Sequence, residues 1–230
     1  MKHYLVAVIA LGLCASTGLG QEKVELTGPK QRVSYSIGYD LGGNFKKQGI
    51  EVEPKALAAG IADALAGREQ LTEAERREVL AELQKDLAAR LQAKSAAEAE
   101  DNLKAGEAFL AANAKKPGVV VLPSGLQYKV LNAGAGRTPK ATDKVKTHYH
   151  GTLIDGTVFD SSVERGEPVS FPVNGVIAGW AEALQLMKEG AKWQLFVPAK
   201  MAYGNRSAGP TIGPNSTLIF EVELLSIETP

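Results

Sequence analysis

The sequence has little cysteine, few aromatic residues and no surplus of charge of either sign. Cys14 is the only cysteine, which excludes a disulfide within one chain. Lys and Arg together number 26 and Asp and Glu together also number 26, so there is no basic excess of the kind that binds nucleic acid or an anionic membrane surface. We therefore expect peptides or small molecules, and not nucleic acid, as partners.

One apolar run stands apart near the start of the chain. Residues 4–13 form it after a short basic start, and small and polar residues follow over 15–20. The run is too short to span a membrane in the mature protein, and this order of segments is typical of a secretory signal peptide. We predict a signal peptide over residues 1–20 with cleavage after Gly20. A buried helix is the alternative.

Cys14 also raises the alternative of lipid attachment. The bulky Leu13 directly before it disfavours that processing, which normally needs small residues. If cleavage follows Gly20, the mature chain contains no cysteine and can form no disulfide.

Residues 21–117 have the pattern of helices. Pro29 and Pro54 stand where helices start. The first helix carries an apolar stripe at four-residue steps: Val33, Ile37, Leu41 and Phe45. The second carries Leu57, Ile61 and Leu65, with Gly67 as a stop signal. Both stripes are narrow and need a partner surface.

A third helix is predicted to be unusually long. Thr72 and Glu75 form a capping box, no glycine follows until Gly106, and no proline until Pro117. Roughly 43 helical residues would extend about 65 Å. Leucines form a seam up to Leu91, whereas residues 92–102 contain no large apolar side chain. That stretch predicts a helical spacer solvated on all sides, with a flexible linker as the alternative.

Three helices with two short stripes make a thin core for one chain. We therefore hypothesise that the segment up to about Leu91 forms a homodimer by packing or exchanging helices.

From Val119 the apolar residues alternate with polar ones. Val145 to Leu153, Trp193 to Val197 and Leu218 to Leu224 show this period of two, which predicts strands separated by Gly and Pro turns. A single helix is predicted around Trp180. Residues 118–230 should therefore form an α+β domain in which an antiparallel sheet wraps on one helix.

The stretch VFDSS places an acid, Asp160, directly beside Phe159. Taken alone, this favours a turn whose aromatic neighbour fills the core. The predicted inner lining of the sheet is rich in aromatic residues, however, although they are only 6% of the chain. An acid placed at an apolar lining is therefore also a candidate site residue.

Five spaced motifs give the sequence a specific resemblance. They are HYHGTLIDGTVFDSS, GEPVSF, GVIAGWAEAL, PAKMAYG and PNSTLIFEVELL. In this order they resemble the FK506-binding (FKBP) type of peptidyl-prolyl cis-trans isomerase. The region before them, with SYSIGYDLGGNF and the long helix, is similar to the dimerising N-terminal domain of the secreted bacterial FkpA and Mip type.

The resemblance implies an enzyme that needs no metal, cofactor or nucleophile. It implies catalytic roles for Tyr149, Asp160, Tyr203 and Phe220. The implied substrate-binding residues are Tyr149, Phe159, Asp160, Val169, Val176, Ile177, Trp180, Tyr203, Ile212 and Phe220. Trp180 would form the floor of a prolyl pocket, and Ile177 N–H and the Tyr203 hydroxyl would bind the substrate. Arg165 matches a family arginine that can pair with the pocket acid.

The resemblance also implies partners and location. Proline-containing unfolded or extended polypeptides are the expected substrates and FK506- or rapamycin-type macrolides the expected inhibitors, although Val169 stands where some relatives carry Phe and this weakens the macrolide expectation. The location expected is the periplasm after secretion across the inner membrane, with outer-membrane association left open. A holding chaperone whose isomerase activity is incidental is the alternative function.

His148 and His150 lie two apart on one strand face and suggest a metal pair. No third ligand is evident, so we predict no metal site.

Overall fold

A computed structural model describes residues 24–228 of the chain. The predicted signal peptide, its cleavage after Gly20 and the lipidation alternative at Cys14 lie outside the described residues. Contacts divide the structure into two units, one ending at Glu73 and the next beginning at Ala74. The predicted domain division between residues 117 and 118 stays a prediction.

The first unit contains two helices, α1 (Pro29–Gln48) and α2 (Pro54–Leu65). Both begin with the predicted proline, and the Glu53 side chain caps α2 by accepting a hydrogen bond from Ala56 N–H at 2.6 Å. Neither helix contains a buried residue. The exposed large apolar side chains on them are Val33, Tyr35, Ile37, Tyr39, Leu41, Leu57, Ile61 and Leu65.

The long helix α3 (Glu73–Asn113) lies in the second unit from its second residue on, and its 41 residues confirm the predicted long connecting helix. Within residues 24–228, no helix combines the length and the apolar character that crossing a bilayer needs. Ala99, Asn102, Gly106 and Asn113 are half-buried or buried at steps of three, four and seven residues, so they share one helical face. The prediction of a spacer solvated on all sides is therefore wrong at Ala99 and Asn102.

That face of α3 packs against the sheet. A Cβ atom on Gly106 would lie 2.3 Å from Thr217 Oγ1, so glycine permits the close approach of the helix at this point. Near the end of the helix, buried Asn113 donates a hydrogen bond to Gln127 Oε1 at 3.0 Å, and Gln127 Nε2 donates one to the Leu110 carbonyl at 2.9 Å.

The remainder of the second unit is an antiparallel sheet. Its strands are β1 (Val119–Val121), β2 (Gln127–Asn132), β3 (Lys144–Leu153), β4 (Val158–Ser161), β5 (Val169–Pro172), β6 (Lys192–Val197) and β7 (Leu218–Glu228). They lie in the order β1-β2-β6-β7-β3-β4, and β5 pairs with β3. Short helices α4 (Ser162–Arg165) and α5 (Ala178–Leu184) and two 3-10 turns, Val173–Gly175 and Ala199–Met201, lie between strands. The predicted α+β class is confirmed.

The core lies between α5 and the sheet. Trp180 and Leu184 of α5 join Leu195 of β6 and Val222 of β7 in one buried apolar cluster. A Cβ atom on Gly179 would lie 2.5 Å from Val197 Cγ1, so a glycine brings the helix close to β6. The position of α5 leaves one end of the sheet's inner face open.

Candidate active site

A cavity of about 640 Å³ occupies that open end. Its size is that of a small-molecule or peptide side-chain pocket. Its lining is mostly apolar and comes from strands, from α5 and from two loops. The lining residues are Tyr149, Phe159, Asp160, Phe171, Gly175, Val176, Ile177, Trp180, Tyr203, Ala208, Gly209, Ile212 and Phe220.

Trp180 is the hub of the aromatic lining. Three rings meet it edge-on, with centroid distances of 5.4 Å for Tyr149, 5.9 Å for Phe171 and 5.2 Å for Phe220. Such edge-to-face pairs fix ring orientation as well as burying area. The indole N–H of Trp180 is buried and has no hydrogen-bond partner among residues 24–228.

Gly151 makes room for two of the rings. It lies on β3 opposite Asp160 of β4 and Phe220 of β7. A Cβ atom there would lie 2.6 Å from the Phe159 ring and 3.1 Å from the Phe220 ring. Glycine therefore lets these rings meet edge-on at 5.4 Å. Sequence reasoning assigned Gly151 no role, although a glycine inside a strand is a signal of close approach.

Asp160 lies in a three-membered polar cluster at the cavity wall. Tyr149 Oη donates a hydrogen bond to Asp160 Oδ2, and Arg165 Nη1 donates one to Asp160 Oδ1. Arg165 Nη2 also donates to Tyr149 Oη at 2.9 Å. A role for Asp160 in a turn alone does not account for this arrangement, because its carboxylate faces the cavity and accepts hydrogen bonds from two side chains.

Helix α4 places Arg165 in this cluster. Ser161 caps the helix by accepting a hydrogen bond from Glu164 N–H at 3.1 Å, and Gly166 ends it in a left-handed conformation. The guanidinium of Arg165 consequently lies 5.8 Å from the centre of the Tyr149 ring.

These contacts set the charge of the site. Partial burial on its own would raise the pKa of Asp160, but the hydrogen bonds from Tyr149 and Arg165 outweigh it and lower the pKa below its ordinary value. Burial and the contact with Asp160 raise the pKa of Tyr149. The cavity therefore holds an ionised carboxylate and a neutral phenol at neutral pH.

Ser162 anchors the strand that carries Tyr149. Its buried hydroxyl accepts a hydrogen bond from Tyr149 N–H at 2.8 Å and donates one to Tyr149 O at 3.2 Å. Ser162 Oγ also lies 3.1 Å from His148 Nδ1, and Ser161 Oγ lies 3.0 Å from His150 Nδ1. Both histidines thus have serine partners. Within the described part of the chain, no group of three or more potential metal ligands is found.

The cavity brings together nine of the ten residues predicted to bind substrate. The tenth, Val169, does not line it. It is half-buried on β5 opposite Thr147, and the cavity is reached instead by Phe171, two residues further along the same strand. Sequence reasoning missed Phe171, although the period of two places both on one face of the strand. The roles of all these residues stay predictions.

Two family models match the chain in succession. The one described as "Domain amino terminal to FKBP-type peptidyl-prolyl isomerase" matches residues 30–130, and "FKBP-type peptidyl-prolyl cis-trans isomerase" matches residues 135–225. The second match contains the whole cavity lining. The fold and the aromatic cavity therefore define an FKBP-type isomerase domain behind a helical region.

Curated relatives and a solved structure resemble the whole chain. "Outer membrane protein MIP" of Legionella longbeachae is 51% identical, and "Peptidyl-prolyl cis-trans isomerase Mip" of Coxiella burnetii is 43% identical; each match covers 99% of both chains. The crystal structure of FkpA from Escherichia coli superposes with a TM-score of 0.72 at 39% identity, over 88% of this chain and 98% of that one. The chain belongs to the FKBP-type peptidyl-prolyl cis-trans isomerases, as the motifs predicted.

Proposed function

We propose that this isomerase accelerates rotation about X-Pro bonds during the folding of exported proteins, and that the aromatic cavity is the site of catalysis. The observation that supports this most directly is an apolar cavity whose floor is Trp180 and whose wall carries one ionised acid, Asp160. Such a site can hold a proline ring in a dry environment beside a fixed charge.

The chemistry needs no bond to break. Amide resonance opposes rotation about X-Pro bonds with a barrier of about 18–20 kcal/mol, and the twisted amide is less resonance-stabilised and less polar than the planar one. An apolar cavity favours the twisted form because the planar form loses more solvation on entering it. An acceleration of about 10⁴-fold needs roughly 5.5 kcal/mol of selective stabilisation, which desolvation and a few fixed dipoles can supply.

The side chains have distinct roles in this proposal. Trp180 and the rings around it hold the proline, and Tyr203, whose side of the cavity is open to solvent, donates its hydroxyl to a substrate carbonyl. Ile177 N–H, directly before α5, offers a second donor. The Asp160 carboxylate stabilises the positive side of the polarised prolyl amide while Tyr149 and Arg165 keep it in place.

A protease-coupled proline-isomerisation assay tests the proposal. Wild-type protein should turn over peptides with Leu or Phe before proline. Asp160→Leu should lower kcat/KM by about 100-fold, the lower end of the loss typical when one electrostatic contact is removed from a dry site. Glu167→Leu is the matched control, because Glu167 is an exposed acid on the connection between α4 and β5. An FK506-type macrolide should block the wild type. Equal turnover by wild type and Asp160→Leu would contradict the role of the carboxylate.

A second function is favoured by the helices of the first unit. Their large apolar side chains are exposed and none of their residues is buried, which supports a homodimer formed through these helices. Two cavities in one dimer would bind a long unfolded client with avidity, as a holding chaperone does. Asp160→Leu should then retain suppression of client aggregation, and loss of this activity in that variant would make holding a property of the cavity.

We also propose that the protein is exported through an N-terminal signal peptide and acts in the periplasm. The similarity over the full length to a protein named for the outer membrane supports this location. Cell fractionation and the mass of the mature N-terminus test it, and a cytoplasmic protein that still carries Met1 would contradict it.

A further inference from the structure

Two asparagines join α3 to the loop that precedes β7. Asn102 Nδ2 on α3 donates a hydrogen bond to the Pro214 carbonyl at 2.9 Å. In the opposite direction, Asn215 Nδ2 on the loop donates one to the Ala99 carbonyl at 3.2 Å. Both contacts are partly buried and link residues more than a hundred positions apart. We call this pair of contacts the asparagine clip.

The backbone at the clip is adapted to it. Asn215 has a φ of 55° and is the only non-glycine residue with positive φ in the part of the chain that the structure describes. Two residues before Asn215, a Cβ atom on Gly213 would lie 2.2 Å from Glu98 Oε1 and 3.0 Å from Asn102 Nδ2. The loop thus lies close to α3, and an added side chain at 213 would have to displace the end of the Glu98 side chain and crowd Asn102.

From the clip, the path to the cavity is short. Asn215 N–H donates a hydrogen bond to the Gly204 carbonyl at 2.7 Å, and Gly204 directly follows Tyr203 of the cavity. On the other side of the clip, Ile212 O accepts a hydrogen bond from Ala208 N–H at 2.9 Å, and both of these residues line the cavity. One wall of the cavity is therefore connected to the clip, through the Gly204 hydrogen bond next to Tyr203 and through the short segment from Ala208 to Ile212.

We infer that the segment of α3 from Glu98 to Gly106 is a positioning element of the isomerase, and that Asn102 and Asn215 set the cavity wall formed by Tyr203, Ala208 and Ile212. This wall, unlike the aromatic floor, is built from a loop with few buried side chains. Tyr203 on this wall is exposed, so residues beside the proline can contact the wall while the proline lies on Trp180. The clip should therefore control selectivity for those residues more than the rate of bond rotation. This inference rests on the proposed role of the cavity as the catalytic site.

The test compares full-length Asn102→Ala and Asn215→Gly with Asp101→Ala. Glycine keeps the left-handed backbone accessible at 215 and removes only the side-chain contact. Asp101 is the exposed neighbour of Asn102 and serves as the matched control. The assay uses proline tetrapeptides that differ only in the residue before proline. We expect both clip variants to change the ratio of kcat/KM between peptides by about 3- to 10-fold, mainly through KM.

Two further measurements distinguish positioning from a general loss of stability. Asn102→Gln retains an amide donor that can reach the Pro214 carbonyl, so it should restore the wild-type selectivity. In amide NMR spectra, the signals of Ala208 and Gly209 should shift in Asn102→Ala and not in Asp101→Ala. Unchanged selectivity together with unchanged Ala208 and Gly209 signals in both clip variants would overturn the inference.

Failure of the proposed function can be distinguished from failure of the inference about the clip. A folded wild-type protein without turnover would contradict the assignment of catalysis to the cavity, whereas the NMR comparison would still decide whether the clip sets the wall.

Discussion

The sheet and the two N-terminal helices differ in how their apolar side chains are covered. Around α5 the sheet encloses a continuous apolar cluster in which Trp180, Leu195 and Val222 are almost fully buried. Helices α1 and α2 bury no residue and expose aromatic and aliphatic side chains along their length. One region therefore completes its own core, and the other presents the kind of surface that a second copy can cover.

The largest expected effect is on the self-contained core. Trp180→Ala should lower the free energy of unfolding of the sheet by about 3–5 kcal/mol, because the side chain is 4% exposed and three neighbouring rings lose their contacts with it. Tyr35→Ala on α1 is the contrasting variant, and denaturant titration measures both. A comparable loss in Tyr35→Ala would show that its ring is covered in solution.

A charge introduced into the exposed apolar stripe of α1 tests whether a second copy covers that stripe. Ile37→Glu should raise the dissociation constant of the proposed dimer by about 10-fold or more, since a buried unpaired carboxylate is costly. Sedimentation of the full chain measures it, with Lys47→Glu near the end of α1 as the control for added charge. A wild-type protein that sediments as a monomer at all concentrations would remove the dimer proposal.

A glycine-to-alanine substitution should change stability in opposite directions in the two regions. Gly106→Ala in α3 should destabilise by about 1–3 kcal/mol, because the added methyl group meets Thr217. Gly38→Ala in α1 should stabilise by about 0.5–1 kcal/mol, because no atom lies within 4 Å of the added methyl and alanine favours helix. Thermal unfolding of each variant compares them. Destabilisation by Gly38→Ala would indicate that another surface packs on α1.

The smallest effect concerns pH. The pKa of Asp160 is lowered in the folded protein, so its ionised carboxylate contributes stability at pH values above its ordinary pKa of 3.8. This contribution is lost as the pH falls through the lowered pKa of the folded protein. Between about pH 5 and 8, kcat/KM should therefore show no dependence due to Asp160. A pH profile of wild type against Asp160→Asn checks this. A wild-type titration near pH 6 that is absent from Asp160→Asn would contradict the lowered pKa.

Much of this architecture follows from local pattern. The two prolines that open α1 and α2 and the capping box before α3 are local signals with direct physical causes, so their helices could be predicted within a few residues. The alternation over Val145 to Leu153 likewise identifies β3. The cavity residues came chiefly from resemblance of motifs, because an isolated Asp160 beside Phe159 favours a turn over a site.

The features that could not be predicted depend on contacts between residues that are far apart in the sequence. The stretch 92–102 lacks large apolar side chains, and its contact with the loop before β7 uses an asparagine amide and a helix carbonyl, which leave no hydrophobic signal. Gly106 has the pattern of a helix stop but serves close packing. Val169 and Phe171 share one face of β5, so the period of two alone does not tell which of them lines the cavity.

The strand order has a consequence for the way the chain matures. β7 (Leu218–Glu228) lies between β6 and β3, and within residues 24–228 it follows every other strand in sequence. A polypeptide that leaves a ribosome or a translocation channel from its N-terminus cannot join the two halves of this sheet until the residues of β7 are free. The α3 segment can form early from local contacts, whereas the sheet waits for pairing between distant strands. Until then the cavity cannot form either, because Phe220 of its lining lies on β7.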